Sequence, residues 1–285
     1  MNALRIFLRE IRIEHTLFAL PFAYVGAIVA ARGMPSWWAL LWITLAVLGA
    51  RTAAMAANRY LDRDIDARNP RTAKRALATG RLAPAVMLWA TLLGLALLLV
   101  SAWQLNPLCV ELMPLAALGL LLYPLCKRFT WLTHFVLGAV DALAPLGAYI
   151  GVAGRVDAPA LLLFLAVTLW VAGFDILYAL MDLDVDRVEG VRSLPVRFGA
   201  GSGRILSIVM HVAMLVALAL AGVLAGAHPI YAVGLLLAVG LIVLEVVFLR
   251  RSANVFVLNE RIFTANMAFS VLFLATTAAA FIRGV

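Results

Sequence analysis

Charge is scarce in this sequence: Asp, Glu, Lys and Arg make up 13% of the 285 residues, while apolar and aromatic types make up 65%. A globular domain usually carries about 25% charge, so a soluble protein with one buried core is excluded. Cysteine is nearly absent. Cys109 and Cys126 fall near opposite ends of one expected helix, out of bridging range, so neither a disulfide nor a thiolate zinc site is implied. The histidines, His15, His134, His211 and His228, are scattered. They lack the short spacing that places a metal-binding pair on one helix face, and each is read as a bystander. A dense run of Asp, Gly and Arg, which a phospholipid-type alcohol phosphotransferase would need, is also missing. The outer halves of most apolar runs carry almost no ionisable residue, which argues against a cation transporter with a polar path through the bilayer.

Long apolar runs are what the sequence has in abundance. Leu93 to Val100, Leu115 to Leu122 and Leu161 to Val171 sit inside stretches of roughly 20 residues, enough to cross a hydrocarbon layer. Nine such stretches are expected to be transmembrane helices, at residues 16–32, 38–57, 83–103, 108–125, 131–153, 159–181, 204–226, 228–249 and 261–282. The first follows Arg5, Arg9 and Arg12, but no small-residue cleavage site leads from it into a soluble domain. It is read as helix one of an all-α, multi-pass bundle that forms a single domain over 1–285.

The net charge of +8 is topological rather than a nucleic-acid footprint. Lys and Arg accumulate in cytoplasmic loops of membrane proteins. With the N-terminus inside, all but Arg32, Arg155 and Arg283 of the 23 basic residues fall on the inner side. The expected orientation is N-terminus in and C-terminus out, in a bacterial inner membrane.

Acidic residues concentrate in two segments: Asp62, Asp64 and Asp66 after the second span, and Asp182, Asp184, Asp186 and Glu189 after the sixth. Asp62/Asp66 and Asp182/Asp186 share a four-residue spacing, and each pair precedes a basic loop and another span. An even number of spans separates the copies, so the halves, roughly 1–130 and 131–285, are expected to be a parallel repeat about the membrane normal. The two acidic clusters would then face each other across a central cavity.

Residues spaced by three, four or seven project from one helix face. Asn58, Asp62 and Asp66 form one such stripe, continued inward by Arg51. Asp175, Tyr178, Asp182 and Asp186 are expected to form the equivalent stripe if the sixth span continues past the hydrocarbon edge. Carboxylates four apart repel each other, so a compensating cation is expected. Magnesium suits one or two carboxylates plus phosphate oxygens. The candidate metal ligands are Asn58, Asp62, Asp66, Asp182 and Asp186. Arg71, Lys74, Arg75, Lys127, Arg128, Arg192 and Arg197 follow these segments and are suited to phosphoryl oxygens. The competing account is a solvated loop with a surface ion-pair network. It explains either cluster alone less well once both align with charges inside spans, where ionisable groups are rare. Asp141 and Asp175 are such charges; Asp141 has no motif around it and equally suits an ion pair with a helix neighbour.

These residues resemble the UbiA superfamily of intramembrane aromatic prenyltransferases, over the whole chain. NRYLDRDID, with Asn58, Asp62 and Asp66, is similar to the family's first Asp-rich motif. DILYALMDLDVD, Asp175 to Asp186, matches the second in full. RTAKRAL at 71–77, YPLCKRFT at 123–130 and the Gly190, Ser193, Phe198-Gly199 pattern agree as well. One departure stands out: Arg59 follows Asn58 where the family usually has Asp. The wording IRIEHTLFALPFAYVGAIVAARG looks closest to a branch associated with the futalosine route to menaquinone, whose members are commonly labelled 4-hydroxybenzoate polyprenyltransferases.

The resemblance implies magnesium-dependent transfer of a polyprenyl group from its diphosphate to a ring carbon of an aromatic acid, in ubiquinone or menaquinone biosynthesis. The acceptor is a 4-hydroxybenzoate-type acid or, alternatively, a dihydroxynaphthoate-type acid. Metal and basic groups would neutralise the leaving diphosphate. Tyr178, Tyr123 or Phe174 would face the allylic cation, and Asp175 or Asp182 would accept the ring proton. Arg51, with Tyr123, is expected to hold the acceptor's carboxylate; the alternative for Arg51 is an ion pair with Asp62 or Asp175. The polyprenyl tail would lie between helices, open to lipid. Gly138, Gly147, Gly151 and Gly173 are read first as helix-packing positions and second as tunnel lining. Trp37, Trp38 and Trp131 fall where interfacial anchors belong. No obligate protein partner is implied.

Overall fold

The computed structural model describes residues 3–11, 16–251 and 255–282, and every regular element among them is an α-helix. The helices are α1 (Ala3–Glu10), α2 (Thr16–Ala31), α3 (Trp37–Arg68), α4 (Pro84–Leu105), α5 (Pro107–Cys126), α6 (Thr133–Ala153), α7 (Ala158–Ala179), α8 (Leu183–Val188), α9 (Leu194–Ala225), α10 (Tyr231–Arg251) and α11 (Val255–Phe281). Eight of them are long and apolar enough to cross a membrane. The first expected span is the shorter α2, whose 16 residues reach about 24 Å at 1.5 Å per residue. Arg12, His15 and Arg283 lie outside the described residues.

Local chemistry sets where the helices start. The side chains of Ser36, Asn106, Asp157 and Ser193 accept the backbone N–H groups of Ala39, Cys109, Ala160 and Val196, satisfying donors with no partner inside the helix. Helices α6 and α9 end on Gly154 and Gly226, both left-handed, where a side chain would be strained. The seventh expected span, 204–226, is only the longer part of α9. The helix begins at Leu194 and is broken at Gly199, with φ 86°.

Two boundaries matter for the site. Helix α3 runs unbroken from the bundle interior to Arg68, so Arg51, Asn58, Asp62 and Asp66 do lie along one helix. The second stripe differs from expectation. Helix α7 ends at Ala179, the chain turns through residues 180–182, and α8 starts afresh with Asp182 at its N-cap. Asp175 and Tyr178 therefore sit on one helix and Asp186 on another. The cause is non-local, because Asp182 is drawn onto Arg71 and Asn69 of the segment after α3.

The most extensive packing joins α3 to α4 and α7 to α9, with α6 against both α7 and α2. The pairing of α3 with α4 and of α7 with α9 follows the doubled sequence pattern. Gly138 makes the α6–α7 approach possible, since a methyl there would overlap the Thr168 carbonyl. The core centres on Phe22, Trp170, Phe269 and Phe273, with Phe22 4.7 Å from Trp170 and 5.6 Å from Phe273 between ring centroids.

Beside this core lies a buried polar chain. His211 Nε2 is 3.1 Å from the Trp170 carbonyl, and Nδ1 is 2.7 Å from Glu245 Oε2. Glu245 Oε1 accepts from Asn266 Nδ2 at 2.9 Å, and Asn266 Oδ1 accepts from Trp170 Nε1. His211 and Glu245 are thus buried side by side as a close pair, the arrangement in which such groups persist away from water. Gly173 leaves room for the imidazole, because a Cβ there would fall 2.7 Å from His211 Nε2.

Candidate active site

The acidic stripe residues gather at one end of the bundle, and Asp62, Asp66 and Asp182 are each met by a base from another segment. Asp62 is 2% exposed; Lys127, just past α5, bonds its Oδ2, and Arg128 lies 3.6 Å from Oδ1. Asp66 accepts from Arg75 at 2.5 Å. Asp182 receives the two-pronged guanidinium of Arg71, at 2.8 Å to Oδ1 and 2.6 Å to Oδ2, and a longer bond from Asn69. Arg68 bonds Glu189 at 2.8 Å. Such fork geometry is the strong form of a charge-assisted hydrogen bond. Six bases therefore reach toward this end: Arg68, Arg71, Arg75, Lys127 and Arg128 on the carboxylates, and Arg192 close by. Arg192 is tied to the turn after α5. Its Nη1 donates to the Phe129 carbonyl and its backbone N–H to the Lys127 carbonyl, so it holds the turn that carries Lys127 and Arg128.

Asp186 is the carboxylate short of positive charge. Burial, reinforced by the neighbouring Asp182 charge, pushes its pKa up to about 6, against the opposing influence of Lys127, Arg71 and His134. Among the described residues no three Asp, Glu, His or Cys side chains form a ready metal cage. The donor set nevertheless suits a hard cation that takes part of its shell from phosphate. Four carboxylates lie at one mouth, one of them with its pKa raised, and bases stand beside them for the remaining phosphoryl oxygens.

Deeper along α3, Asn58 Nδ2 donates to the Tyr123 hydroxyl at 2.9 Å, and Arg51 Nη1 donates to Asp141 Oδ1 at 2.9 Å. The partner of Arg51 is thus neither Asp62 nor Asp175. Asp141 is paired across to α3 rather than within its own helix. Arg51 Nε is buried without a hydrogen-bond partner, an unmet donor in a region where that is costly. Arg51, Asp141 and Tyr123 head a cavity of about 220 Å³ between α3, α4, α5 and α6, otherwise lined by apolar residues, mostly Ala, Leu, Val and Ile with Cys109, Met113 and Gly147. Leu112 and Leu115 line it and are exposed on α5, so the cavity lies next to the outer surface of the bundle. Pro145, inside α6, has no N–H for the carbonyl of residue 141, which loosens that helix beside the cavity. Gly147 lines the cavity with open space at its Cβ position, whereas Gly151 packs on Leu105.

Asp175 meets a residue that sequence reasoning passed over. His134 Nδ1 lies 2.7 Å from Asp175 Oδ2, and His134 Nε2 accepts the Leu194 N–H at 3.4 Å. With Nε2 an acceptor, the proton is on Nδ1 and points at the carboxylate. The 41-residue separation left no local signal. Tyr178 lies half-buried near Arg71.

The sequence model of the UbiA prenyltransferase family matches residues 19–255. A 4-hydroxybenzoate octaprenyltransferase of Shewanella frigidimarina is 32% identical over 281 residues, 96% of each chain. A UbiA homologue of Aeropyrum pernix, solved in its apo form, is 34% identical with a TM-score of 0.84, covering 93% of this chain and 97% of that one. A UbiA homologue of Archaeoglobus fulgidus bound to GPP and Mg2+ has the same fold, at 19% identity and a TM-score of 0.75 over 97% and 99% of the two chains.

Proposed function

Because this chain belongs to the UbiA prenyltransferase family, we propose that it transfers a polyprenyl group from polyprenyl diphosphate to a ring carbon of 4-hydroxybenzoate in quinone biosynthesis. The observation that carries this reading is the order of two unlike surroundings along α3. Asp62 and Asp66 are paired with bases at one end, and deeper in the helix Arg51 heads an apolar cavity, with the Asn58 bond to the cavity-lining Tyr123 between them.

Arg71, Arg75, Lys127 and Arg128 receive the diphosphate, with Arg192 fixing their turn. Asn58, Asp62, Asp66, Asp182 and Asp186 hold magnesium, which supplies Lewis-acid assistance to the departing diphosphate. The allylic C–O bond breaks with its electron pair leaving on the diphosphate. The tail lies in the cavity, where each methylene favours apolar surroundings by about 0.8 kcal/mol, and Tyr178 and Tyr123 offer aromatic faces to the cation. The acceptor's carboxylate is held by Arg51 through its unpartnered Nε, its ring carbon forms the new C–C bond, and the ring proton passes to Asp175. Asp182 suits that last task less well, because both of its oxygens are bonded to Arg71. The site faces the cytoplasm of a bacterial inner membrane, in line with the distribution of Lys and Arg.

The test incubates purified protein with magnesium, a labelled polyprenyl diphosphate and either 4-hydroxybenzoate or a dihydroxynaphthoate-type acid, and weighs the products. A prenylated hydroxybenzoate is expected, and its absence with both acids would remove the reading. A naphthoate product alone would move the acceptor to the futalosine-route branch. Asp62→Asn and Asp182→Asn are expected to abolish turnover.

A further inference from the structure

Arg59 stands in the first motif where a carboxylate is usual, and it is one of the few buried charges, 6% exposed. Its Nε donates to the backbone carbonyl of Glu10 at 3.1 Å, at the last residue of α1. That carbonyl belongs to a helix end with no partners of its own and a partial negative charge, where a guanidinium is favoured and a carboxylate would be repelled. Glu10 passes the contact on, since its Oε1 accepts the backbone N–H of Ala76 at 2.7 Å. Ala76 directly follows Arg75, whose guanidinium reaches Asp66. Ile11 is buried beside Met55, Ala76, Leu77 and Leu82. The N-terminal helix is thus bonded at one end to the residue beside Asn58, and through a carboxylate to the loop that bears Arg71 and Arg75.

We propose that Arg59 and Glu10 are positioning residues that clasp the N-terminal helix onto the 69–82 loop and so hold Arg75 and Arg71 where the diphosphate is received. The sign of the substitution follows from this. An aspartate at 59 has no N–H for the Glu10 carbonyl and would place negative charge against the negative end of α1. The clasp acts through the loop and touches no reacting atom. It rests on the reading that these arginines meet a diphosphate.

The experiment measures binding of inorganic pyrophosphate in the presence of magnesium by calorimetry, and the KM for prenyl diphosphate beside kcat, in the full chain in detergent. The variants are Arg59→Asp, Arg59→Lys, Glu10→Ala and Glu10→Gln. Arg59→Asp and Glu10→Ala are expected to weaken pyrophosphate binding and raise the KM for prenyl diphosphate by about fivefold to tenfold, the effect one net hydrogen bond supports. Their kcat and the KM for the aromatic acid stay near wild type. Arg59→Lys keeps an N–H donor and Glu10→Gln an acceptor, so both stay close to wild type. If the buried Arg59→Asp chain does not fold, the half-exposed Glu10→Ala carries the same expectation. Folded Arg59→Asp or Glu10→Ala protein with wild-type pyrophosphate affinity would overturn the clasp and leave the prenyltransferase reading intact. Wild-type protein that binds no pyrophosphate would overturn both.

Discussion

Protons and magnesium should compete for Asp186, and the competition has a calculable size. The carboxyl's ordinary pKa of 3.8 is pushed up to about 6 by burial and by Asp182. A group with a pKa near 6 is about nine-tenths ionised at pH 7 and about one-tenth at pH 5. If the ionised form is the ligand, apparent magnesium affinity falls roughly ninefold over those two units, with a midpoint near 6. Saturating magnesium should hide the effect, because a bound cation itself favours the ionised carboxylate. The measurement must therefore be made on binding, at sub-saturating metal. Calorimetric titration of magnesium into protein with inorganic pyrophosphate, from pH 5 to 7.5, supplies it, and an Asp186→Asn variant in parallel removes the titration of pyrophosphate itself.

The wild-type-to-variant affinity ratio is expected to fall about ninefold toward acid. A constant ratio, or a midpoint near 3.8, would refute the assignment of Asp186 as a ligand. Stability should move the other way. A carboxyl whose pKa is raised on folding contributes stability that is present below 3.8 and lost as the pH climbs through about 6. Metal-free protein should accordingly melt higher at pH 5 than at pH 7, and magnesium with pyrophosphate should reverse the order.

Three further substitutions probe separate parts of the bundle. Gly147→Leu grows a side chain into the open cavity, so kcat/KM should drop about tenfold or more for long prenyl diphosphates and little for short ones; equal losses across chain lengths would count against the tail's placement. His134→Phe removes the N–H held against Asp175 and should lower kcat by about 10²-fold while pyrophosphate affinity stays unchanged; a variant with full kcat would leave Asp175 without an oriented partner in the chemistry. Glu245→Ala strands the buried His211 and Asn266 groups and should destabilise the protein by about 3–5 kcal/mol, read as a lower melting temperature in detergent, whereas an unchanged melt would mean that the polar chain carries no net weight.

What could be read from the sequence was what local periodicity encodes. Apolar runs located every span, and the four-residue spacing placed Asn58, Asp62 and Asp66 on one face of α3. The same rule applied to Asp175 through Asp186 failed, because helical spacing is necessary for a helix and not sufficient. Arg71 and Asn69, more than 110 residues away, hold Asp182 at the turn where α7 stops. Pairings of this kind are set by tertiary packing. Arg51 meets Asp141 across 90 residues, and His134 meets Asp175 across 41. Glu245 is a different case. An acidic residue inside an apolar run is itself a signal, and the sequence reading passed over it; spacing alone does not name His211 as its partner.

The ion pairs at the mouth also bear on how the fold tolerates so many charges there. Asp62, Asp66 and Asp182 are each matched by a base from a different segment: the turn after α5 for Asp62, and the loop after α3 for the other two. Removing one member would leave an uncompensated charge, the costly case for buried pairs, so the carboxylates and bases hold one another in place before any ligand arrives. On the proposed reading, a diphosphate entering with its cation gives each side a new partner of the right sign. The bases turn from carboxylate to phosphate oxygen while the carboxylates turn from base to metal. Neither ligand alone completes that exchange, because magnesium by itself would strand the arginines and pyrophosphate by itself would strand the aspartates. The pairing that stabilises the mouth is therefore also what couples the two ligands, and by linkage each must raise the other's affinity by the same factor.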